Sequence, residues 1–129
     1  MNALLDTSIL LDYLTGDSRA ARVVEEMQPA SISAITWLEV MALAPSEQRD
    51  TTRAFLRSFE RLSISEPIAD EADRLLQLHP SIKFHQALAW ATAALNQLTF
   101  VTADAEDLPA DAPSVLLPYR WKGQLRLHR

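Results

Sequence analysis

Two kinds of segment alternate along the chain. Short apolar runs bounded by polar or turn residues fall at Ala3–Leu5, Ala30–Ser33, Leu62–Ile64, Leu98–Thr102 and Val115–Leu117, and each predicts a brief strand. Between them, apolar residues recur every three or four positions, which predicts helices. The first covers Ile9–Leu14 with Ser8 as its cap, and the next runs over Ala20–Met27 behind the turn Thr15-Gly16-Asp17-Ser18 and stops at Pro29. Ile35, Leu38, Val40, Met41 and Leu43 support a helix ending before Pro45, and Ser46 to about Leu62 reads as one long helix. Pro67 opens a helix through Leu78, and Phe84–Gln97 is an alanine-rich helix. Strands that alternate with helices predict an α/β domain: a parallel sheet flanked by helices on both faces.

Composition narrows the chemistry. The 129 residues suit one domain, with 48% hydrophobic and 22% charged residues. No apolar run approaches the roughly 20 residues of a bilayer span, and Asp6 and Asp12 interrupt what a signal peptide would keep apolar. No membrane association is expected, and a cytoplasmic location is the default. The absence of cysteine removes disulfides and thiol catalysis, and two glycines, Gly16 and Gly123, are too few for a Walker loop or a dinucleotide fingerprint. His79, His85 and His128 form no HExxH pair, and no serine stands in a GxSxG elbow. Carboxylates remain as the candidate catalysts.

The formal charge of −5 is unevenly spread: Arg120, Lys122, Arg126 and Arg129 make residues 120–129 a basic tail, leaving residues 1–119 as an acidic domain. Such a body repels nucleic acid unless it carries a local basic surface or a bound cation. Arg49, Arg53, Arg57 and Arg61 recur every four residues and, in a helix, form one row opposite Phe55, Phe59 and Leu62. Contact with RNA or a partner is one use of that row, and a solvated face paired with nearby acids is the other.

In a parallel α/β sheet, ligands sit beyond the carboxyl ends of the strands. Asp6 follows the first strand there, and Asp104 follows the Leu98–Thr102 strand with Glu106 and Asp107 close behind. Glu39 lies in a helix that is apolar nearly all round, Ile35-Thr36-Trp37-Leu38-Glu39-Val40-Met41, where an unpaired charge is costly to bury. Plainer uses stand beside these: Asp6 as an acid at a helix N-terminus, Asp104 and Asp107 as loop acids, Asp12 as a solvated helix residue, Glu39 in a salt bridge to arginine. Should Asp6, Glu39 and Asp104 converge, their repulsion calls for a divalent cation, and an all-oxygen site selects Mg²⁺ or Mn²⁺ and phosphate chemistry.

Four motifs in order resemble the PIN-domain ribonucleases, in particular the VapC toxins of bacterial toxin–antitoxin pairs. Leu4-Leu5-Asp6-Thr7-Ser8-Ile9-Leu10 is similar to the first-strand motif, in which the Asp binds metal and the next hydroxyl supports it, so Asp6 and Thr7 take those roles. Ile32–Val40 is similar to the second motif, with Glu39 as its helical acid, and Phe100-Val101-Thr102-Ala103-Asp104 to the last, with Thr102 and Asp107 in support. Val115-Leu116-Leu117-Pro118-Tyr119 resembles the family's ending. The third motif departs: where Asp-Ala-Leu is usual, the chain reads Gln86-Ala87-Leu88, and an amide offers a carbonyl oxygen but no charge. His85 as a substitute ligand, or charge from Glu106 or Asp107, are the alternatives to a weakened site.

The resemblance implies a single PIN domain with a Rossmann-like sheet. It implies a Mg²⁺-dependent endoribonuclease (Mn²⁺ substituting) with Asp6, Glu39, Gln86 and Asp104 in the catalytic cluster, and aspartate at position 86 raising cleavage. It also implies an RNA substrate, a VapB-like antitoxin and a homodimer. The competing expectations are a degenerate PIN domain that binds RNA or antitoxin without cutting, and a 5′-nuclease-like activity on DNA.

Overall fold

The computed structural model describes residues 2–109 and 111–120. Chain order is β1 (Ala3–Leu5), α1 (Thr7–Leu14), α2 (Ser18–Met27), β2 (Ser31–Ser33), α3 (Ala34–Leu43), a 3-10 turn at Ser46–Gln48, α4 (Arg49–Leu56), β3 (Glu60–Leu62), α5 (Glu66–Leu78), α6 (Phe84–Leu95), β4 (Thr99–Val101) and β5 (Val115–Leu116). The strands form one sheet of order β3-β2-β1-β4-β5, every pairing parallel, as the alternating pattern predicts.

The central strands are apolar on both faces because helices cover both. Leu4 and Phe100, paired across β1 and β4, point into a core with Ile68, Leu75, Ala87 and Ala91 of α5 and α6. Their neighbours Leu5 and Val101 point the other way, among Ile9, Val24, Ile32, Val40, Met41 and Leu56. Alanines at 87, 89, 91 and 93 are all buried, which lets α6 lie close to the sheet and to α5. No helix among the described residues is long and apolar enough to cross a membrane.

Three details differ from the sequence expectation. The segment 46–62 is not one helix: α4 ends at Leu56, and Glu60-Arg61-Leu62 pairs with Ser31-Ile32-Ser33 as an edge strand. Phe59, buried where α4 ends, pins the turn, and the Glu60 amide donates to the Ala30 carbonyl to start the ladder. The row of four arginines is therefore split between a helix, its end and a strand. Asp6, not Ser8, stands at the N-terminus of α1, and Ser8 lies inside the helix.

Asp12 is buried rather than solvated, and its Oδ2 accepts from the Tyr119 hydroxyl at 2.8 Å. Arg19 stacks over the Tyr119 ring, so this bond fastens the end of the described chain to α1 and α2. Tyr119→Phe is expected to cost about 1.5–3 kcal/mol, the range for a hydrogen bond to a charged group, read as a lower urea midpoint at unchanged slope. Residues 121–129 of the basic tail lie outside the described residues.

Candidate active site

The chain builds β1, β2 and β3 outward in one direction, then crosses back to place β4 on the other side of β1. The β1/β4 boundary is thus a topological switch point, where loops leave in opposite directions and a crevice opens beyond the strand ends. Asp6 follows β1, and its backbone amide donates to the Val101 carbonyl at 2.9 Å; Thr102 and Asp104 follow β4. Adjacent strands in matched register therefore bring two acids, 98 residues apart in sequence, to one place.

Asp6 is 1% exposed, with hydroxyls collected on one of its oxygens. Oδ2 accepts from Thr102 Oγ1 at 2.6 Å and from Ser8 Oγ at 3.2 Å, while Ser8 Oγ in turn accepts from the Ala103 amide at 3.1 Å. The other oxygen, Oδ1, is buried with no hydrogen-bond partner. Burial drives the Asp6 carboxyl above its ordinary value, against the Thr102 hydroxyl and the charge of His85, which favour ionisation. A buried acceptor normally finds a donor, so the bare oxygen is the least satisfied feature of the site.

Glu39 enters from α3, which begins where β2 ends with Ser33 capping the Ile35 amide. Its Oε1 accepts from Thr7 Oγ1 at 2.7 Å, and its Oε2 lies 3.3 Å from His85 Nδ1 at the start of α6. The partner expected for this acid is therefore a histidine and a threonine hydroxyl, not an arginine. Burial raises the Glu39 pKa, the charge of His85 and the Thr7 bond lower it, and repulsion from Asp6 adds to the rise, which places all three ionisable groups within one field.

Both polar atoms of the Gln86 amide are engaged by backbone groups. It is fully buried, its Oε1 accepts from the Lys83 backbone amide at 3.1 Å, and its Nε2 donates to the Asp104 carbonyl at 2.8 Å. One amide thereby ties the start of α6 to the loop after β4. Lys83 Nζ lies 3.3 Å from Asp104 Oδ2 and 3.7 Å from Asp107 Oδ2. Glu106 is exposed and lines a hollow with His79, Pro80 and Asp107.

Asp6, Thr7, Glu39, Thr102 and Asp104 thus gather at one end of the sheet, with Asp107 at the rim. Ser8, Lys83 and His85 belong to the same cluster. His85 was already an alternative ligand in the sequence; the signal for Lys83 was its position just before Gln86, at the opening of an otherwise apolar helix. Arg49 donates from Nη1 to the Met41 carbonyl at 2.8 Å, tying α4 to α3, and Arg53 pairs with exposed Asp50. Arg53, Arg57 and Arg61 line a hollow of about 430 Å³ with Trp37, Leu56 and Phe59, and Arg61 stacks on the Trp37 ring.

The model of the PIN domain matches residues 3–110, a span that contains every acid of the cluster. The chain belongs to the PIN-domain family. Members of this family are nucleases, and they generally use divalent metals. Among solved structures, this PIN domain is similar to a chain of a toxin–antitoxin complex from Klebsiella pneumoniae: 37% identity over 92% of this chain and 99% of that one, TM-score 0.86. It shares its fold with FitAcB from Neisseria gonorrhoeae, at 23% identity over 90% of this chain and 97% of that one, TM-score 0.71. The same holds for VapBC2 from Rickettsia felis bound to a promoter DNA fragment, at 19% identity over 90% and 96%, TM-score 0.70. Among curated proteins, none matches the sequence.

Proposed function

We propose that this PIN domain is a metal-dependent endoribonuclease, the toxin of a toxin–antitoxin pair, whose cation is held by Asp6, Asp104 and Glu39. The observation that carries the reading is the buried, partnerless Oδ1 of Asp6 at the switch point. The donor chemistry fits Mg²⁺ or Mn²⁺: oxygens only, from carboxylates, with hydroxyls behind them. Among the described residues no group of three or more His, Asp or Glu side chains is placed to hold a metal ion as it stands, so the proposal requires these carboxylates to move closer for the ion.

When bound, the ion supplies Lewis acidity and neutralises charge at the phosphate. Thr102 and Ser8 fix Asp6 through Oδ2 and leave Oδ1 for the cation. Thr7 orients Glu39 from one side and His85 from the other, so that Glu39 completes the cluster, either as a ligand or by positioning a water. Gln86 adds no charge, and slow cleavage relative to PIN domains with aspartate at that position is part of the proposal. The catalytic unit is assigned to residues 1–119. A VapB-like antitoxin is part of the proposal, supported by the similarity to a chain of the Klebsiella pneumoniae toxin–antitoxin complex, and a homodimer completes the proposed assembly.

The RNA path is assigned to the hollow of Arg53, Arg57, Arg61 and Trp37, with Arg49 contributing to the basic surface. The double change Arg53→Glu, Arg57→Glu is expected to weaken RNA retention about tenfold at low salt, with a shallower fall of log K on log salt. A filter-binding series checks it, and unchanged retention returns these arginines to a solvated face.

A second reading is supported by the amide at position 86 and the lysine on Asp104: a PIN domain that binds RNA or antitoxin without cutting. Cleavage of a fluorogenic RNA with Mn²⁺ or Mg²⁺ against a chelator control, beside a Mn²⁺ titration, separates the two. Metal binding accompanied by chelator-sensitive cleavage supports the enzyme; RNA or antitoxin binding with neither supports the module.

A further inference from the structure

We propose that Lys83 is a tethered cation that competes with the metal for Asp104 and so sets the metal concentration at which the site fills; this rests on the metal-site reading above. Its ammonium lies between two carboxylates, Asp104 and Asp107, and among the described residues it is the only lysine. Position alone makes a salt bridge, and half-exposed pairs of that kind contribute little, because holding two mobile side chains together costs entropy. Here the geometry is set from beneath.

Gln86 grips the backbone of both partners: it accepts from the amide of Lys83 and donates to the carbonyl of Asp104. The distance between the root of the lysine and the root of the aspartate is therefore fixed by one fully buried amide. The side chain of Asp104 is 7% exposed, so the ammonium sits where bulk water does little to screen it, whereas the Lys83 side chain is 38% exposed and has a free route to solvent. An ammonium on Asp104 Oδ2 and a divalent ion on the same carboxylate repel strongly at a partly buried site, so the metal fills the site against the lysine charge. Swinging Lys83 out toward solvent relieves that repulsion.

Two consequences follow. Without metal, the lysine offsets the repulsion between Asp104 and Asp107. With metal, that stabilisation is given up, so the apparent affinity is lower than the carboxylates alone would provide. Removing the ammonium while leaving the backbone amide in place for Gln86 is the clean test, because every residue except proline keeps that N–H at position 83.

Mn²⁺ is titrated into the full chain by calorimetry, with free Mn²⁺ followed by electron paramagnetic resonance, for the parent, Lys83→Gln, Lys83→Met, Lys83→Arg and Asp6→Asn. The two neutral variants are expected to bind Mn²⁺ about tenfold more tightly, and the arginine variant to stay within about threefold of the parent. The neutral variants are also expected to melt lower than the parent without metal, with the gap closing at saturating Mn²⁺. Neutral variants that bind Mn²⁺ as the parent does, or more weakly, overturn the competition. If Asp6→Asn abolishes binding while the lysine variants match the parent, only this inference fails; if Asp6→Asn binds as the parent does, the metal site itself fails.

Discussion

Asp6→Asn is expected to abolish Mn²⁺ binding and to lower RNA cleavage by at least about 100-fold, while leaving the metal-free protein as stable as the parent or more so. Loss of function and gain of stability have one cause. In the parent, a carboxylate is buried with Oδ1 unpartnered, and at neutral pH a bound cation would compensate for that arrangement. Asparagine keeps an oxygen for the hydroxyls of Thr102 and Ser8, which hold Oδ2 at 2.6 and 3.2 Å, and removes the buried charge. It also buries an amide group with an incomplete set of acceptors, so the net gain is modest, about 1 kcal/mol, or roughly 4 °C in melting temperature.

The pH dependence gives this prediction a sign. The native pKa of Asp6 lies above the ordinary 3.8 because burial disfavours the anion. Between those two values the native state holds a proton that the unfolded state has released, so this group's contribution to stability falls as pH rises through the window. Asparagine has no such decline. The stability difference between Asp6→Asn and parent is therefore expected to be smallest near pH 4 and to widen toward neutrality; Glu39, raised mainly by burial and further by the Asp6 charge, is raised less in the variant, which adds to the widening. Urea unfolding at several pH values measures the difference; a gap that narrows with rising pH contradicts the buried-anion account. Saturating Mn²⁺ should reverse the order, stabilising the parent alone.

Much of this site was legible in the sequence, and for identifiable reasons. Asp6 and Asp104 each end a short apolar run, and in a parallel sheet that position faces the ligand crevice whichever strands are neighbours. Glu39 stood out because a single charge in an apolar helix demands a partner. What the pattern could not carry was pairing between side chain and backbone at long range. Gln86 looks like a vacant acid position when read along the chain, yet its amide spans 18 residues to the Asp104 carbonyl. β3 was misplaced for a related reason: Glu60-Arg61-Leu62 is an exposed edge, so its polar residues continue the helical pattern of the preceding segment instead of alternating. Ser8 looked like a cap because its type favours one, whereas its hydroxyl is used between Asp6 and the Ala103 amide.

Gln86→Asp tests the sharpest disagreement between the linear and the folded reading. By resemblance alone, aspartate at 86 supplies a missing ligand and raises cleavage. In the fold, the side chain is fully buried, and its two polar atoms are spent on the Lys83 amide at 3.1 Å and the Asp104 carbonyl at 2.8 Å. Aspartate is one methylene shorter and donates nothing when ionised, so the Asp104 carbonyl loses its donor and a further anion is buried beside Asp6, Glu39 and Asp104. The expected result is a metal-free protein about 2–4 kcal/mol less stable, melting roughly 8–16 °C lower, with no gain in cleavage at temperatures where it stays folded. Gln86→Glu separates length from donor: it keeps the reach and the acceptor for Lys83 but replaces the donor with a second anionic oxygen. If the donor matters, glutamate falls nearly as far as aspartate; if only reach matters, it melts with the parent. An aspartate variant that melts as high as the parent and cuts faster would mean that the tie between α6 and the Asp104 loop is dispensable, and that position 86 points its chemistry at the substrate after all.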